Sequence, residues 1–562
     1  MDNTATDNRL TTVHPIEKNK AAFDGGLTLV AHKHLSTGSA ISIMPQVKEY
    51  VIPLQQHIGA MSQVLVHPGD RVLKGQMIAR PNVPVSAAVH SPVSGTVKDI
   101  VEHEVPHPSG LRDLCVLIEN DFKDEWVERK PLADDYYNST TSQVRKVVRD
   151  AGIVGLGGAT FPAAVKQTEV GLTTLILNGV ECEPYITCDD VLMREHAREV
   201  ISGADIIGHI IKAHECIIAI EDNKPEAIKA MQQVVEEDGT GFFRIQVIPT
   251  IYPSGGEKQL IKIITGEEVP KDRYPAELHV LCHNVATAYA VHKAVYEDEP
   301  LISRIATITG HGVEQPQNIE VLIGTPMSAC IEHCGGYKDN SDELIMGGPM
   351  MGFSLSSDDL PVVKATNCLL VTAKEEAASS KQHHMPCIRC GRCVEVCPAR
   401  LLPQQLYWYA SSRNIDRLIE HNIFDCIECG CCAYVCPSDI PLVQYYRFAK
   451  TTIWQQERER KHSDIARERH EAHQARLEKQ KQEREEKLRK KREMLAKKAK
   501  DKPGDSKQDA IAEALARAQA KKEARAGKEA NKQGNGQQSS QDKKDLAEDG
   551  KQNSDEGNKE AE

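Results

Sequence analysis

Two short cysteine runs constrain this chain more than any other stretch. Cys387-Ile-Arg-Cys390-Gly-Arg-Cys393-Val-Glu-Val-Cys397-Pro398 and Cys426-Ile-Glu-Cys429-Gly-Cys-Cys432-Ala-Tyr-Val-Cys436-Pro437 both read C-x2-C-x2-C-x3-C-P. Three thiolates on so tight a loop reach three corners of one [4Fe–4S] cube, and the fourth Cys opens a segment pointing away from it. In a two-cluster arrangement the fourth Cys therefore crosses over. The spacing assigns one cluster to Cys387, Cys390, Cys393 and Cys436, and the other to Cys426, Cys429, Cys432 and Cys397. Cys431 lies beside Cys432 but outside the ligand spacing, and is left off the cluster. A glycine after the second Cys of each run suits a backbone that turns closely around a cluster. The alternative, a pair of zinc sites, wants cysteines in two pairs on separate hairpins, whereas here four fall within eleven residues and the pattern recurs.

At 562 residues the chain exceeds what one core can cover, so several domains are expected. A net charge of −12 and the lack of a basic stripe with interleaved aromatics argue against a nucleic-acid partner. Of the 17 Cys, eight serve the two runs and the rest are scattered without the spacing of a disulfide framework, which fits a reducing compartment. Met1 to Pro15 carries no basic region followed by an apolar run, so no secretory signal is expected. The most apolar window, Ile206 to Ile220, is interrupted by His209, Lys212, His214 and Glu215. No stretch reaches the roughly 18 apolar residues that a membrane-spanning helix needs.

Patterning divides the chain into an N-terminal segment (1–38), a β domain (39–125), an α/β domain (135–298), a β-rich domain (300–372), a two-cluster module (378–450) and a charged low-complexity tail (455–562). In the first β domain, Pro68-Gly-Asp70-Arg-Val-Leu-Lys-Gly75-Gln and Pro92-Val-Ser-Gly95-Thr-Val97 resemble the hallmarks of the barrel-sandwich fold of biotinyl and lipoyl carriers. A carrier presents a lysine on the hairpin tip between these motifs. The tip here, Arg80 to Ala88, has none, so the domain is expected to be a structural module.

The 135–298 stretch alternates strand-like runs at Thr174–Leu177, Cys216–Ile220, Ile245–Ile248 and Leu278–Leu281 with helical patterns such as Asp190–Ala213 and Lys224–Glu237. Such alternation predicts a mostly parallel, Rossmann-like sheet with helices on both faces, whose ligands sit at the carboxyl ends of the strands. The cluster Gly152-Ile-Val-Gly155-Leu-Gly157-Gly158-Ala-Thr-Phe161-Pro162 precedes the first of these strands, with Lys166 just behind it. Glycines there let backbone N–H groups approach a phosphate, and a lysine supplies the countercharge.

Four motifs, in order, resemble the flavin-binding NADH dehydrogenase subunit of respiratory complex I. They are the glycine loop with Lys166, Asn178-Gly-Val-Glu181-Cys-Glu183-Pro184, Tyr252-Pro-Ser-Gly255-Gly256-Glu257, and Asn284-Val-Ala-Thr287. The resemblance implies that Gly155, Gly157, Gly158, Lys166, Asn178, Asn284 and Thr287 hold FMN, and that Phe161, Glu181 and Glu183 face NAD(H). It also places Tyr252, Gly255, Gly256 and Glu257 at the cofactor site. Gly256 and Ala286 stand where that family has glutamates. Residues 301–371 resemble the soluble-ligand-binding β-grasp domain (SLBB) that follows the flavin domain there, and Cys330 and Cys334 are expected to pack as small apolar residues.

The tail beyond Trp454 has no aromatic residue and no Cys, and its sparse apolar positions keep no heptad. It reads as a solvated helix or a disordered segment.

The succession of domains resembles the RnfC family, the C subunits of the Rnf/Rsx electron transport complexes. That resemblance implies an NADH-oxidising or NAD-reducing subunit with FMN and two [4Fe–4S] clusters, peripheral on the cytoplasmic side of the cell inner membrane. Its partners would be the integral-membrane and other subunits of the complex and a ferredoxin-like electron carrier. Hydride transfer between NADH and flavin needs no protein acid or base, so no catalytic residue is expected. An iron–sulfur wire with an empty flavin site and a soluble ferredoxin-linked dehydrogenase are the other two readings.

Overall fold

The apolar runs of the α/β domain form a four-stranded sheet in the computed structural model, which describes residues 23–168, 171–271, 273–374, 384–500 and 512–521. The strands Thr174–Gly179, Glu215–Glu221, Phe243–Ile248 and Val280–Asn284 are all parallel. Their order in space is Phe243–Ile248, Glu215–Glu221, Thr174–Gly179, Val280–Asn284. Both faces are covered: Leu175, Leu177, Ile218 and Ile220 point into one core while Ile176, Ala219 and Cys282 point into another. That two-sided burial is why these strands read as continuous apolar runs. The order reverses between Thr174–Gly179 and Val280–Asn284, where Asn178 pairs in register with Asn284. A sheet of this kind takes its ligand in the crevice at that reversal.

Two boundaries differ from the sequence reading. The expected helix Asp190–Ala213 is two helices, Cys188–Glu195 and Ala197–Ile211, because His196 between them leaves helical geometry at φ −123° and ψ 36°. The expected strand at Leu278 starts only at Val280, since Pro275–Leu278 closes a 3-10 turn and His279 takes a φ of 58°.

The first β domain is two antiparallel sheets around Tyr50, Ile52, Ile78 and Val97. Its hairpin tip is docked: Ala87 belongs to the core of the α/β domain, and the Ala88 carbonyl accepts a 2.8 Å hydrogen bond from Lys364. Ser42–Ile43, expected to open this barrel, instead pairs in parallel with Gln317–Leu322 at the edge of the next sheet. That six-stranded β-grasp sheet carries the helix Met327–His333, and Cys330 and Cys334 lie in its apolar core.

The two-cluster module shows its internal repeat in the backbone. Gly391 and Gly430 both adopt left-handed φ, at 84° and 80°, and so do Arg389 with Glu428 and Arg400 with Asp439. Between the two cysteine runs lie the helices Pro403–Ser411 and Ile415–Glu420. The helix Leu442–Lys500 buries Leu442, Val443, Tyr446, Ala449 and Ile453 in its first turns.

The chain divides into two units, Met1–Gln456 and Glu457–Glu562. In the second, the described residues are helical, and Ile465, Leu477, Leu488 and Leu495 are 47%, 49%, 56% and 59% exposed, so no face of this segment is buried. Among the described residues no helix is long and apolar enough to cross a membrane.

Candidate functional site

The glycine loop closes on itself through the Gly155 amide on the Phe161 carbonyl at 2.9 Å and the Thr160 amide on the Gly155 carbonyl at 3.2 Å. Thr287 is buried, and its hydroxyl accepts the Leu156 amide at 3.0 Å, which ties the loop to the helix Val285–Tyr296. A Cβ on Gly158 would meet nothing within 4 Å and one on Gly155 nothing nearer than 3.7 Å, so the loop faces open space on that side. At Gly157 a Cβ would come within 3.2 Å of the Asn284 side chain, so a glycine is what lets the loop lie against that residue.

The asparagines at the strand ends are engaged as the register implies. The Asn178 amide donates to the Gly255 carbonyl at 3.0 Å, and its oxygen accepts the Val180 amide at 3.0 Å. Asn284 caps its helix by accepting the Ala286 amide at 2.9 Å and donates to Asp189 at 2.6 Å. Lys166 is half-buried and donates to the Cys282 carbonyl at 2.6 Å and to the Glu257 carboxylate, which brings an ammonium to the carboxyl ends of the strands. The loop, its open face and this ammonium suit a phosphate-bearing flavin. A side chain at Gly256 would meet the Gln259 side-chain oxygen at 2.5 Å, so Gln259 fills the space beside that glycine.

The two glutamates lie apart from each other in role. Glu183 accepts the Met350 and Met351 amides at 2.7 and 3.0 Å and so latches a turn of the β-grasp domain onto the α/β domain. Burial holds its carboxyl above the usual range, against the pull of those amides. Glu181 is buried, and its Oε1 accepts the Asp189 amide at 2.9 Å and the Cys188 thiol at 3.4 Å. Burial and the Glu181 carboxylate push Asp189 up to about 7, against the Asn284 hydrogen bond and the charges of Arg304 and Lys224.

Sequence reasoning missed Lys33, whose ammonium donates to the carbonyls of Glu181, Glu183 and Ile186 at 2.6, 3.1 and 2.6 Å. Nothing in the sequence relates it to a loop some 150 residues away. The same N-terminal strap runs on to the cluster module, where the Gly26 amide donates to the Val396 carbonyl at 3.1 Å.

The cysteines fall into the two crossed sets. Cys387, Cys390, Cys393 and Cys436 line one cavity of about 260 Å³, while Cys397, Cys426, Cys429 and Cys432 line a second, narrower one. Among the described residues, the one group of three possible ligands whose atoms come within 4.8 Å of one another is Glu181, Cys188 and Asp189. The cysteines thus gather around two cavities in the grouping that the crossed spacing implies. Cys431, left off by the spacing, is buried and lines the second cavity.

Tyr252 joins the two sites. It is buried and its hydroxyl donates to the Cys429 carbonyl at 2.7 Å. It packs with Leu27, Val396, Cys429, Cys431 and Val435 in one apolar layer, against which Cys182 of the Asn178–Pro184 segment also lies. The second cysteine set therefore abuts the flavin-type domain, with Cys429 and Cys432 only 7% and 9% exposed, while Cys390 of the first set is exposed to solvent.

Family models match in the order the fold implies: an RnfC barrel sandwich hybrid domain over 21–123, a Nuo51 FMN-binding domain over 148–293, an SLBB domain over 305–354 and a 4Fe-4S dicluster domain over 386–440. The C subunit of the ion-translocating oxidoreductase complex of Pseudomonas aeruginosa is 47% identical over 81% of this chain and 59% of its own length. The protein of the same name from Serratia proteamaculans is 45% identical over 87% of this chain and 68% of its own. This chain belongs to the RnfC family of ion-translocating oxidoreductase complexes. FMN and [4Fe–4S] clusters are accordingly its cofactors, carried by the FMN-binding and dicluster domains. The chain spans less than two thirds of the length of the first relatives it matches, 59% and 57%. A chain of the NAD+-reducing [NiFe]-hydrogenase in its H2-reduced state is similar at 18% identity and a TM-score of 0.41, over 55% of this chain and 62% of that one.

Proposed function

We propose that this protein exchanges electrons with NADH and passes them inward to outward through its two cysteine sets, as a peripheral, cytoplasmic-side part of an ion-translocating complex of the inner membrane. FMN, when bound, accepts the two electrons of a hydride and releases them singly, the conversion that one-electron clusters require. The chain's own residues bind and orient. The Gly155–Phe161 loop, Lys166, Asn178 and Asn284 hold the flavin, and Thr287 fixes the loop. The cluster of Cys397, Cys426, Cys429 and Cys432 lies next to the flavin domain, and that of Cys387, Cys390, Cys393 and Cys436 serves the exit to a ferredoxin-like carrier subunit.

The observation that carries this reading is the buried Tyr252–Cys429 contact, which makes the flavin-domain segment and the second cysteine set neighbours with apolar side chains between them. The exposed Cys390 suits the opposite end of such a path. An anaerobic titration with NADH, followed by flavin absorbance and by spin resonance of both clusters, tests it. The flavin should bleach and both clusters should then reduce. A protein whose clusters reduce with dithionite and not with NADH would sink the reading. Gly256 and Ala286 favour a flavin-free wire instead, and such a protein would show no flavin bands after acid destroys its clusters.

A further inference from the structure

Behind Asn284, two carboxylates face each other with no cation assigned to the second. Ligand atoms of Glu181, Asp189 and the Cys188 thiol lie within 4.8 Å of one another. Glu181 is 7% exposed, and its Oε2 has no hydrogen-bond partner. Glu181 already has favourable company for a charge: the Asp189 amide at 2.9 Å and the Lys33 ammonium 3.9 Å from Oε2. Asp189 is half-buried, and its partner is the neutral Asn284 amide at 2.6 Å.

The surroundings on every side are consistent with one negative charge here and not two. Lys224, from the turn after Glu215–Glu221, is spent on Glu221, with which it forms a fully buried pair. Asp190 is bridged by Arg194 at 2.5 Å. Glu183 is taken by the Met350 and Met351 amides, and Cys188 and Cys368 are thiols held neutral by burial. Arg304, from the β-grasp domain, is buried and donates to the Ile305 and Lys364 carbonyls; its charge and that of Lys224 pull Asp189 down, but burial and the Glu181 carboxylate outweigh them. Two carboxylates this close in a poorly hydrated wall cannot both ionise cheaply. A divalent cation would resolve the repulsion, but Lys33 already stands at the open oxygen.

We infer that Asp189 holds a proton at neutral pH, with the Glu181 carboxylate facing it, and that this pair forms the wall of the flavin pocket behind Asn284. The upward displacement of Asp189 agrees with the geometry. The link to the flavin rests on the reading of Asn284 under Proposed function. It runs through contacts: Gly157 of the loop lies against Asn284, and Asn284 holds Asp189. Electrons arriving at the pocket add negative charge, so they are accepted more easily while the pair keeps its proton. Asp189 keeps partial exposure and exchanges that proton with water.

Infrared spectroscopy of the full chain as isolated, from pH 5 to 9 in H2O and D2O, reads the proton directly and needs no flavin. A carboxylic-acid C=O band should persist at neutral pH, shift in D2O, and vanish in Asp189→Asn. In Glu181→Gln, which removes the repulsion and keeps the shape, the band should vanish at a lower pH than in the wild type. Absence of the band from the wild type at neutral pH overturns the inference, as does its survival unchanged in Asp189→Asn. A metal ion beyond the cluster iron that is lost in Asp189→Asn also overturns it. The midpoint potential of the bound flavin, measured against pH, tests the link: wild type should fall more steeply through the titration of the pair than Asp189→Asn. Parallel slopes with the band present would overturn the flavin link alone, and a chain without flavin would leave the band readable.

Discussion

The phenol of Tyr252, in the α/β domain, donates a 2.7 Å hydrogen bond to the main-chain oxygen of Cys429, a ligand position of the cluster module. The residues lie in different domains, and the contact is buried. It holds the cluster module against the α/β domain. Tyr252→Phe keeps the ring and strands the Cys429 carbonyl, a loss of about 1–3 kcal/mol at a buried site. Hydrogen exchange of the Cys429–Cys436 amides should speed up by roughly 5- to 150-fold, at unchanged iron content. Unchanged exchange would mean that apolar packing alone holds the modules.

Cys436 lines the same cavity as Cys387, Cys390 and Cys393, and the proposed crossing makes it a ligand with that distant run. Cys436→Ala should damage the cluster of Cys387, Cys390 and Cys393 and spare the neighbouring one, and Cys397→Ala should do the converse. Iron analysis with spin resonance distinguishes the two signals. Loss of the adjacent cluster in either variant would refute the crossing.

Lys166 follows the open glycine loop in the chain, its ammonium held between Glu257 and the Cys282 carbonyl. Removing it as Lys166→Ala should cost flavin binding about 1.5–3 kcal/mol, or roughly 10- to 150-fold in Kd, through a lost charge-assisted hydrogen bond. Fluorescence titration of flavin-depleted protein with FMN measures it. Wild-type affinity would place the lysine outside the site.

Lys364 is a buried ammonium whose partners among the described residues are carbonyls, Ala88 at 2.8 Å and Gly152 at 2.6 Å, where three domains meet. Burial pushes it down to about 7 from an ordinary 10.5. A folded value below the unfolded one penalises the folded state at and below pH 7, and the penalty is relieved as pH rises from 7 towards 10.5. The thermal midpoint of the wild type should therefore climb relative to Lys364→Met between pH 7 and 10. His57 and His90, pushed to about 4 and about 3, act in the acid range and leave this window clear. A difference that stays constant across the window would remove Lys364 as its source.

Local chemistry determined what the sequence could say alone. Each cysteine run repeats within a dozen residues, so two cluster motifs were legible, and the parallel sheet followed from apolar runs whose length and β-branching are local properties. The glycine loop and the two asparagine motifs were legible for the same reason, since each is built from neighbours in the chain, whereas the pairing of Asn178 with Asn284 across the sheet was not. What only the tertiary structure decided was which distant groups those motifs meet. The Lys33 ammonium reaches carbonyls across some 150 residues, and Ser42–Ile43 leaves the barrel for the edge of the β-grasp sheet. Glu183 latches a turn of the β-grasp domain, Tyr252 turns to Cys429, and Asp189 is raised by a carboxylate across a loop. All but the Ser42–Ile43 strand depend on packing that buries a polar group and thereby dictates its partner. Burial is a property of the assembled domains, and no residue carries it by itself.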